Sequence, residues 1–129
     1  MNRSSDWWRQ GEADLAHARH AAEDGDYEWS AFAAQQAAEK ALKALILALG
    51  GEAWGHSLLH LCRGLSQRVT VPAEVVEAAR RLDRHYLPTR YPNGWDQGAP
   101  RDYYARSDAE EAIAQAEVVF AFCRRAFPR

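Results

Sequence analysis

The sequence predicts an all-α fold: an antiparallel, up-and-down four-helix bundle with an additional short helix and one long irregular loop, residues 1–129 forming a single domain. Three observations lead there. Apolar residues recur at the helical period in five segments, no segment alternates apolar and polar as a strand would, and helix start and stop signals stand at the ends of the periodic runs.

The first predicted helix opens at Ser4 or Ser5, good N-cap residues, with Asp6 in the first turn, and stops at Gly25. Its apolar face is Trp8, Gly11, Leu15, Ala18 and Ala22. The second runs from about Tyr27 to Leu49 and is stopped by Gly50 and Gly51. Its stripe, Ala31, Ala34, Ala38, Ala41, Leu45 and Leu49, is mostly alanine, which lets a partner helix approach closely. A shorter third helix spans Ser57 to Gln67, with Leu58, Leu61, Cys62 and Leu65 inward. Pro72 opens the fourth helix near its first position, and Val75, Ala79, Leu82 and Tyr86 form its buried line. Pro88 is expected to end it, because the residue before a proline is pushed out of helical space. The fifth helix starts at a capping box, Ser107 to Glu110, and buries Ala109, Ala112, Ile113, Ala116, Val119, Phe120, Cys123 and Phe127.

Residues 88–106 fit no periodic template. A loop this long inside a compact domain is usually functional or disordered, and disordered segments are poor in aromatics. This one holds Tyr91, Trp95, Tyr103 and Tyr104, so it is expected to lie against the bundle.

Composition excludes several classes. The formal net charge is −2, so no global basic field points to nucleic acid. The longest uninterrupted apolar run, Ala44 to Leu49, falls far short of the roughly 20 residues of a membrane helix. Acidic residues stand early in the N-terminal segment where a signal peptide would carry its apolar stretch, which makes the expected location cytoplasmic. Cys62 and Cys123 are too few for a disulfide scaffold and fall on buried faces, where a thiol is a small unreactive core residue. Charge is uneven, however. Residues 80–106 carry six Arg against three Asp, a net of +3, in the stretch that is also rich in Tyr, Trp, Pro and Gly.

Three segments carry a family resemblance: Ala33-Ala-Gln-Gln-Ala-Ala-Glu-Lys-Ala-Leu-Lys-Ala-Leu45, then His56-Ser-Leu-Leu, then Leu82-Asp-Arg-His-Tyr-Leu-Pro-Thr-Arg-Tyr-Pro92. Together they resemble the HEPN family, named for a nucleotide-binding domain of higher eukaryotes and prokaryotes, from Trp8 to about Phe122. The resemblance implies an up-and-down bundle, usually a homodimer, often encoded beside a small nucleotidyltransferase as half of a toxin–antitoxin-like pair. Many such proteins are metal-independent RNases whose signature is Arg, four to six residues, then His. Others lack it and bind nucleotides or RNA, or act as partners only.

Arg80 to His85 is a literal match to that signature. Its chemistry is sensible: His is a general acid–base near neutral pH, and Arg a fixed cation for the phosphate oxygens. Its geometry is not, because five helical steps leave Arg80 and His85 roughly 140° apart, whereas Arg81 shares the face of His85 but breaks the spacing. The signature residue after the Arg is usually polar, such as Asn; here it is Arg81, and the group resembling Thr89-Arg90-Tyr91-Pro92 typically lacks the signature. Catalysis therefore stands beside a solvated helix face with an incidental His.

The loop offers another site. Arg90 and Tyr91 follow the Pro88 stop, with Trp95, Arg101, Tyr103, Tyr104 and Arg106 close in sequence; aromatic rings stack bases and Arg binds phosphate. If these groups gather at one hollow, a nucleotide or single-stranded nucleic acid fits; otherwise Arg90 pairs with an acid such as Glu39 and the rings cover the bundle end. Gln36, Lys40 and Lys43 share one helix face and line either a phosphate groove or a solvated surface where Lys40 meets Gln36 or Glu39. His17 with His20, and His56 with His60, have helix spacings able to share a metal, yet each pair is two ligands short, so no metal and no cofactor is expected. His60 should be semi-buried beside Leu61, and His56 placed to hydrogen-bond a helix end.

Two functions of different classes follow, a nucleotide- or RNA-binding module partnering a nucleotidyltransferase and an RNase using Arg80 and His85, with a purely structural adapter as a third. Five Trp and five Tyr are hard to hide in so small a domain, which favours a homodimer.

Overall fold

The computed structural model describes residues 2–128. Its elements are α1 (Ser4–Glu23), α2 (Tyr27–Ala48), α3 (Leu58–Leu65), α4 (Ala73–Asp83), a 3-10 turn (Pro92–Gly94), α5 (Pro100–Tyr103) and α6 (Arg106–Ala126), with no strand among the described residues. α2 is the hub, packing against α1, α3, α4, α5 and α6, while α6 also meets α1 and α4. Its alanine stripe makes this possible: Ala31, Ala34, Ala37, Ala38, Ala41 and Ala44 are fully buried, and so are Leu42 and Leu45.

Close approach is most marked against α1. A Cβ at Gly11 would sit 3.2 Å from the Ala37 carbonyl oxygen and 3.3 Å from Lys40 Cβ, so this position keeps the two backbones in contact only without a side chain. Nearer the turn, the buried Ser30 hydroxyl donates to the Ala18 carbonyl at 2.7 Å. Both α1 and α2 end in Schellman caps: Gly25 donates to Ala22 and Asp26 to Ala21, and Gly50 donates to Leu47 and Gly51 to Ile46. The three residues left between α1 and α2 force the chain to reverse, which makes the pair antiparallel.

Several boundaries differ from the sequence reading, each for a physical reason. α4 stops at Asp83, five residues before Pro88. Asp83 turns its carboxylate onto the start of α3, where it accepts from the backbone N–H groups of Leu58 (2.7 Å) and Leu59 (3.1 Å) and from the Ser57 hydroxyl (3.0 Å). Arg84 and His85 then donate to Arg81 and Leu82 in tight turns, and Tyr86 lies beyond the helix and half-buried instead of extending its apolar line. Pro72 is the N-cap of α4 and stands outside the helix. α6 begins at Arg106, not at Ser107: its N-cap is Ala105, and the reach-back half of the box comes from Asp108, which accepts the Ala105 N–H at 2.7 Å. In α1 the buried alanines are Ala18 and Ala21, and Ala22 is only partly covered, while α3 is a turn shorter than expected.

The long loop does lie against the bundle. Pro100 is buried, and α5 touches α2.

Candidate functional site

The aromatic and cationic side chains of residues 88–106 do not gather at one hollow. Trp95 and Tyr103 stack on each other at 4.0 Å, the Trp95 indole donates to the Pro88 carbonyl, and the Tyr103 hydroxyl donates to Gln97. Arg101 turns to Asp26 and Glu28 at the start of α2, at 3.6 and 3.8 Å, and Arg106 lies over Tyr27. Tyr104 sits 3.0 Å from His85. Most of the loop's rings are thus spent holding the loop itself. Sequence could not foresee this, because a stacked pair and a ligand platform have the same composition.

Arg90 is different. Its guanidinium lies over Phe32 of α2 (4.1 Å), Tyr86 (4.9 Å) and Tyr91 (5.1 Å). Nε and Nη2 both donate to the Tyr86 carbonyl, at 3.0 and 2.7 Å, and no carboxylate among the described residues partners it, Glu39 included. A cation enclosed by rings and one neutral carbonyl keeps its charge uncompensated, and Nη1 has no hydrogen-bond partner among the described residues. Tyr91 beside it is 49% exposed.

Phe32 joins Arg90 to the face of α2 that carries Gln36, Lys40 and Lys43. Phe32, Gln36 and Lys40 line a hollow of about 230 Å³ with Trp29, Asp14 and His17. Lys40 does not point freely into it; its amine donates to Asp14 at 2.6 Å and to Gln36 at 3.4 Å. Lys43 is buried, donates to Glu39 at 3.1 Å and lies over the Trp7 ring. The face therefore holds the three residues, with both lysines already neutralised.

At its centre is Glu39, expected from the sequence only as an alternative partner of Arg90 or Lys40. Glu39 is 4% exposed, and its carboxylate accepts from Gln35, Gln36 and Lys43 and lies 3.2 Å through each oxygen from His56 Nδ1. His56 serves no helix end; Ser57 caps α3 instead. Its ring stacks on Tyr86 at 4.6 Å, so Tyr86 carries both His56 and Arg90. The signal available in sequence was the polar set Gln35, Gln36, Glu39, Lys40 and Lys43 inside an otherwise alanine-lined helix.

The RNase pair is separated within the chain. Arg80 is exposed and bonds Glu77, whereas His85 faces a hollow of about 150 Å³ lined by Arg81, Arg84, Asp108 and Glu111. Arg81 is held by Glu111 and Glu77, which raise its pKa, and burial pushes the His85 pKa down. Burial also raises Cys62 to about 11 and raises Cys123, consistent with inert core thiols. His60 is exposed, not semi-buried, because it falls on the side of α3 opposite Leu58, Leu61 and Leu65. No cluster of three or more His, Cys, Asp or Glu able to hold a metal occurs among the described residues, and none of their helices is long and apolar enough to cross a membrane.

A helical bundle with a polar and aromatic patch on its central helix, and without a metal cluster among the described residues, defines a small all-α domain built around that helix. The HEPN domain profile matches residues 4–126, and the chain belongs to the HEPN family. It is similar to TT1696 from Thermus thermophilus, at 48% identity over 98% of this chain and 99% of that one, with a TM-score of 0.94. ST0689, described as an archaeal HEPN homologue, is 39% identical over 99% and 100% of the two chains, with a TM-score of 0.84. The HEPN domain protein TM0613 from Thermotoga maritima is 36% identical over 93% and 95%, with a TM-score of 0.76. No curated protein matches the chain.

Proposed function

We propose that this HEPN protein is a binding module for a nucleotide or RNA, working with a small nucleotidyltransferase in a toxin–antitoxin-like pair. The observation that carries the reading is Arg90: a guanidinium with no acidic partner among the described residues, seated over three rings, with one nitrogen left to donate. A phosphate oxygen is the natural acceptor for such a group, and the adjoining rings supply a surface for a base. Tyr91 and the Gln36, Lys40 and Lys43 face border it. Arg101 and Tyr104 belong to the supporting structure in this reading, because their polar groups are engaged elsewhere.

The partner class follows the resemblance to proteins encoded beside nucleotidyltransferases, and the exposed Trp29, Trp54, Leu87 and Tyr91 suit a homodimer. The test is direct. Purified protein in EDTA binds a labelled nucleotide or short RNA without cutting it, and Arg90→Ala weakens binding at least about tenfold, the worth of a charge-assisted hydrogen bond. RNA cleavage that survives EDTA and disappears in His85→Ala would transfer the function to the Arg80 and His85 reading. Unchanged binding in Arg90→Ala would leave a structural adapter.

A further inference from the structure

His56 is held from three directions yet half of it faces water. Its backbone carbonyl accepts from Gln35 Nε2 at 3.1 Å, its Nδ1 lies 3.2 Å from each Glu39 oxygen, and its ring lies nearly parallel to Tyr86, at 18°. Gln35 is fully buried and Glu39 almost so, while the His56 side chain is 55% exposed. A bond from Nδ1 to a carboxylate sets the tautomer: Nδ1 carries hydrogen and Nε2 presents a lone pair. Nε2 has no hydrogen-bond partner among the described residues. The buried groups thus fix the direction of one exposed nitrogen, which a merely solvated surface histidine would not require.

Arg90 packs against the same tyrosine. Neither the His56 ring centre nor the Arg90 guanidinium carbon is more than 4.9 Å from the Tyr86 ring centre. We propose that His56 and Arg90 form a proton-coupled site for a phosphate monoester at the edge of Tyr86, in which Glu39 is the positioning residue. The inference rests on the binding role assigned to Arg90 and names the chemistry of that site.

The coupling follows from charge. Glu39 is already matched by Lys43, so its charge does not by itself require a second cation at His56. An anion arriving at Nε2 repels that lone pair; a proton taken up there turns it into a second cationic donor, with negative charge facing both ring nitrogens. The groups touching the His56 ring are Glu39 from α2 and Tyr86 from the segment after α4; Lys43 stands behind Glu39, Arg90 packs on Tyr86, and Asp83 caps the next residue, Ser57. A monoester carries up to two negative charges and fits two cations better than a diester does.

Titration calorimetry of the full chain with adenosine 5′-monophosphate tests this, run at one pH in two phosphate-free buffers of different ionisation enthalpy. Binding is expected to take up a measurable fraction of a proton and to tighten between about pH 8 and 6. His56→Gln should abolish the uptake and weaken binding about tenfold, with an unchanged melting temperature confirming the fold. Glu39→Gln should reduce uptake, and adenosine without phosphate should give none. Inorganic phosphate distinguishes the sources: equal affinity makes the free ion the ligand, weaker affinity the nucleotide, and both carry the proposal. Monophosphate binding that Arg90→Ala abolishes, but whose proton uptake survives in His56→Gln, overturns this inference alone. No monophosphate binding overturns it too, and if RNA also fails to bind, the broader reading falls with it.

Discussion

Two histidines, one beside α2 and α3 and one beside α4 and α6, are each oriented through Nδ1, with contrary results. On the α2–α3 side, His56 is set by the buried carboxylate of Glu39 and turns outward. On the α4–α6 side, His85 is set by the Tyr104 hydroxyl at 3.0 Å, meets that ring edge-on at 5.5 Å, and turns inward. Burial is the leading cause of its lowered pKa, with Arg84 adding to it and Asp108 and Glu111 opposing. A phenol supplies no charge to stabilise an imidazolium; a carboxylate does. The two histidines differ in the partner that orients them and in the direction they face, neither of which a spacing rule such as Arg-x4-His can register.

The largest expected effect lies at the carboxylate. Glu39→Gln keeps the shape of the side chain but leaves Lys43 buried without a counter-charge, and should cost about 3 kcal/mol of stability. Urea denaturation reads the loss, and the double variant Glu39→Gln with Lys43→Met should recover much of it, since no buried charge is then stranded. A Glu39→Gln protein as stable as wild type would mean that water reaches this pair freely, and the contrast between the flanks would lose its electrostatic basis.

Asp83 stands between the flanks and should matter next. Its carboxylate takes two backbone N–H groups and the Ser57 hydroxyl at the start of α3, immediately after His56, while ending α4 before His85. Removing it in Asp83→Ala should cost about 2 kcal/mol, a helix cap plus a charge-assisted bond. Hydrogen exchange sharpens the comparison: protection should fall in α3 and around His56 far more than at the His85–Tyr104 contact.

How much of this was legible in the sequence depended on what each residue had to meet. The helices were readable because burial repeats along one chain segment; α2 spans Tyr27–Ala48 against an expected Tyr27 to Leu49. Helix ends that depend on a distant partner were not: the reach of Asp83 to Leu58 stops α4 early, and Pro88 has no part in it. Arg90 and Tyr91 stood out by chemistry and do sit beside the Gln36 and Lys40 face, through Phe32. In the rest of the loop the sequence left packing and ligand binding open; Trp95 pairs with Tyr103 and Tyr104 with His85, pairings that composition does not encode. Glu39 was hidden in another way: a carboxylate on an alanine-rich helix reads as solvated until Lys43 and His56, from the segment before α3, close over it.

The smallest effect is a change in the shape of the stability profile with pH, and it tests the His85 side of the comparison. Folded His85 resists protonation, so its folded pKa lies below the unfolded value of about 6.5. The unfolded chain then takes the proton first as pH falls. Stability contributed by neutral His85 is present above about pH 6.5, drains away as pH drops toward the folded value, and is level below it. Tyr104 acts at the other end. Burial, aided by Asp108, raises it to about 12, so its contribution is complete below the unfolded value of about 10 and is lost as pH rises from there through 12. Urea midpoints from pH 5 to 8 should therefore show an acid-side slope that His85→Asn flattens and Tyr104→Phe leaves in place, since the phenol does not titrate in that window. A slope that His85→Asn left in place would mean that His85 takes a proton as readily in the folded chain as in the unfolded one.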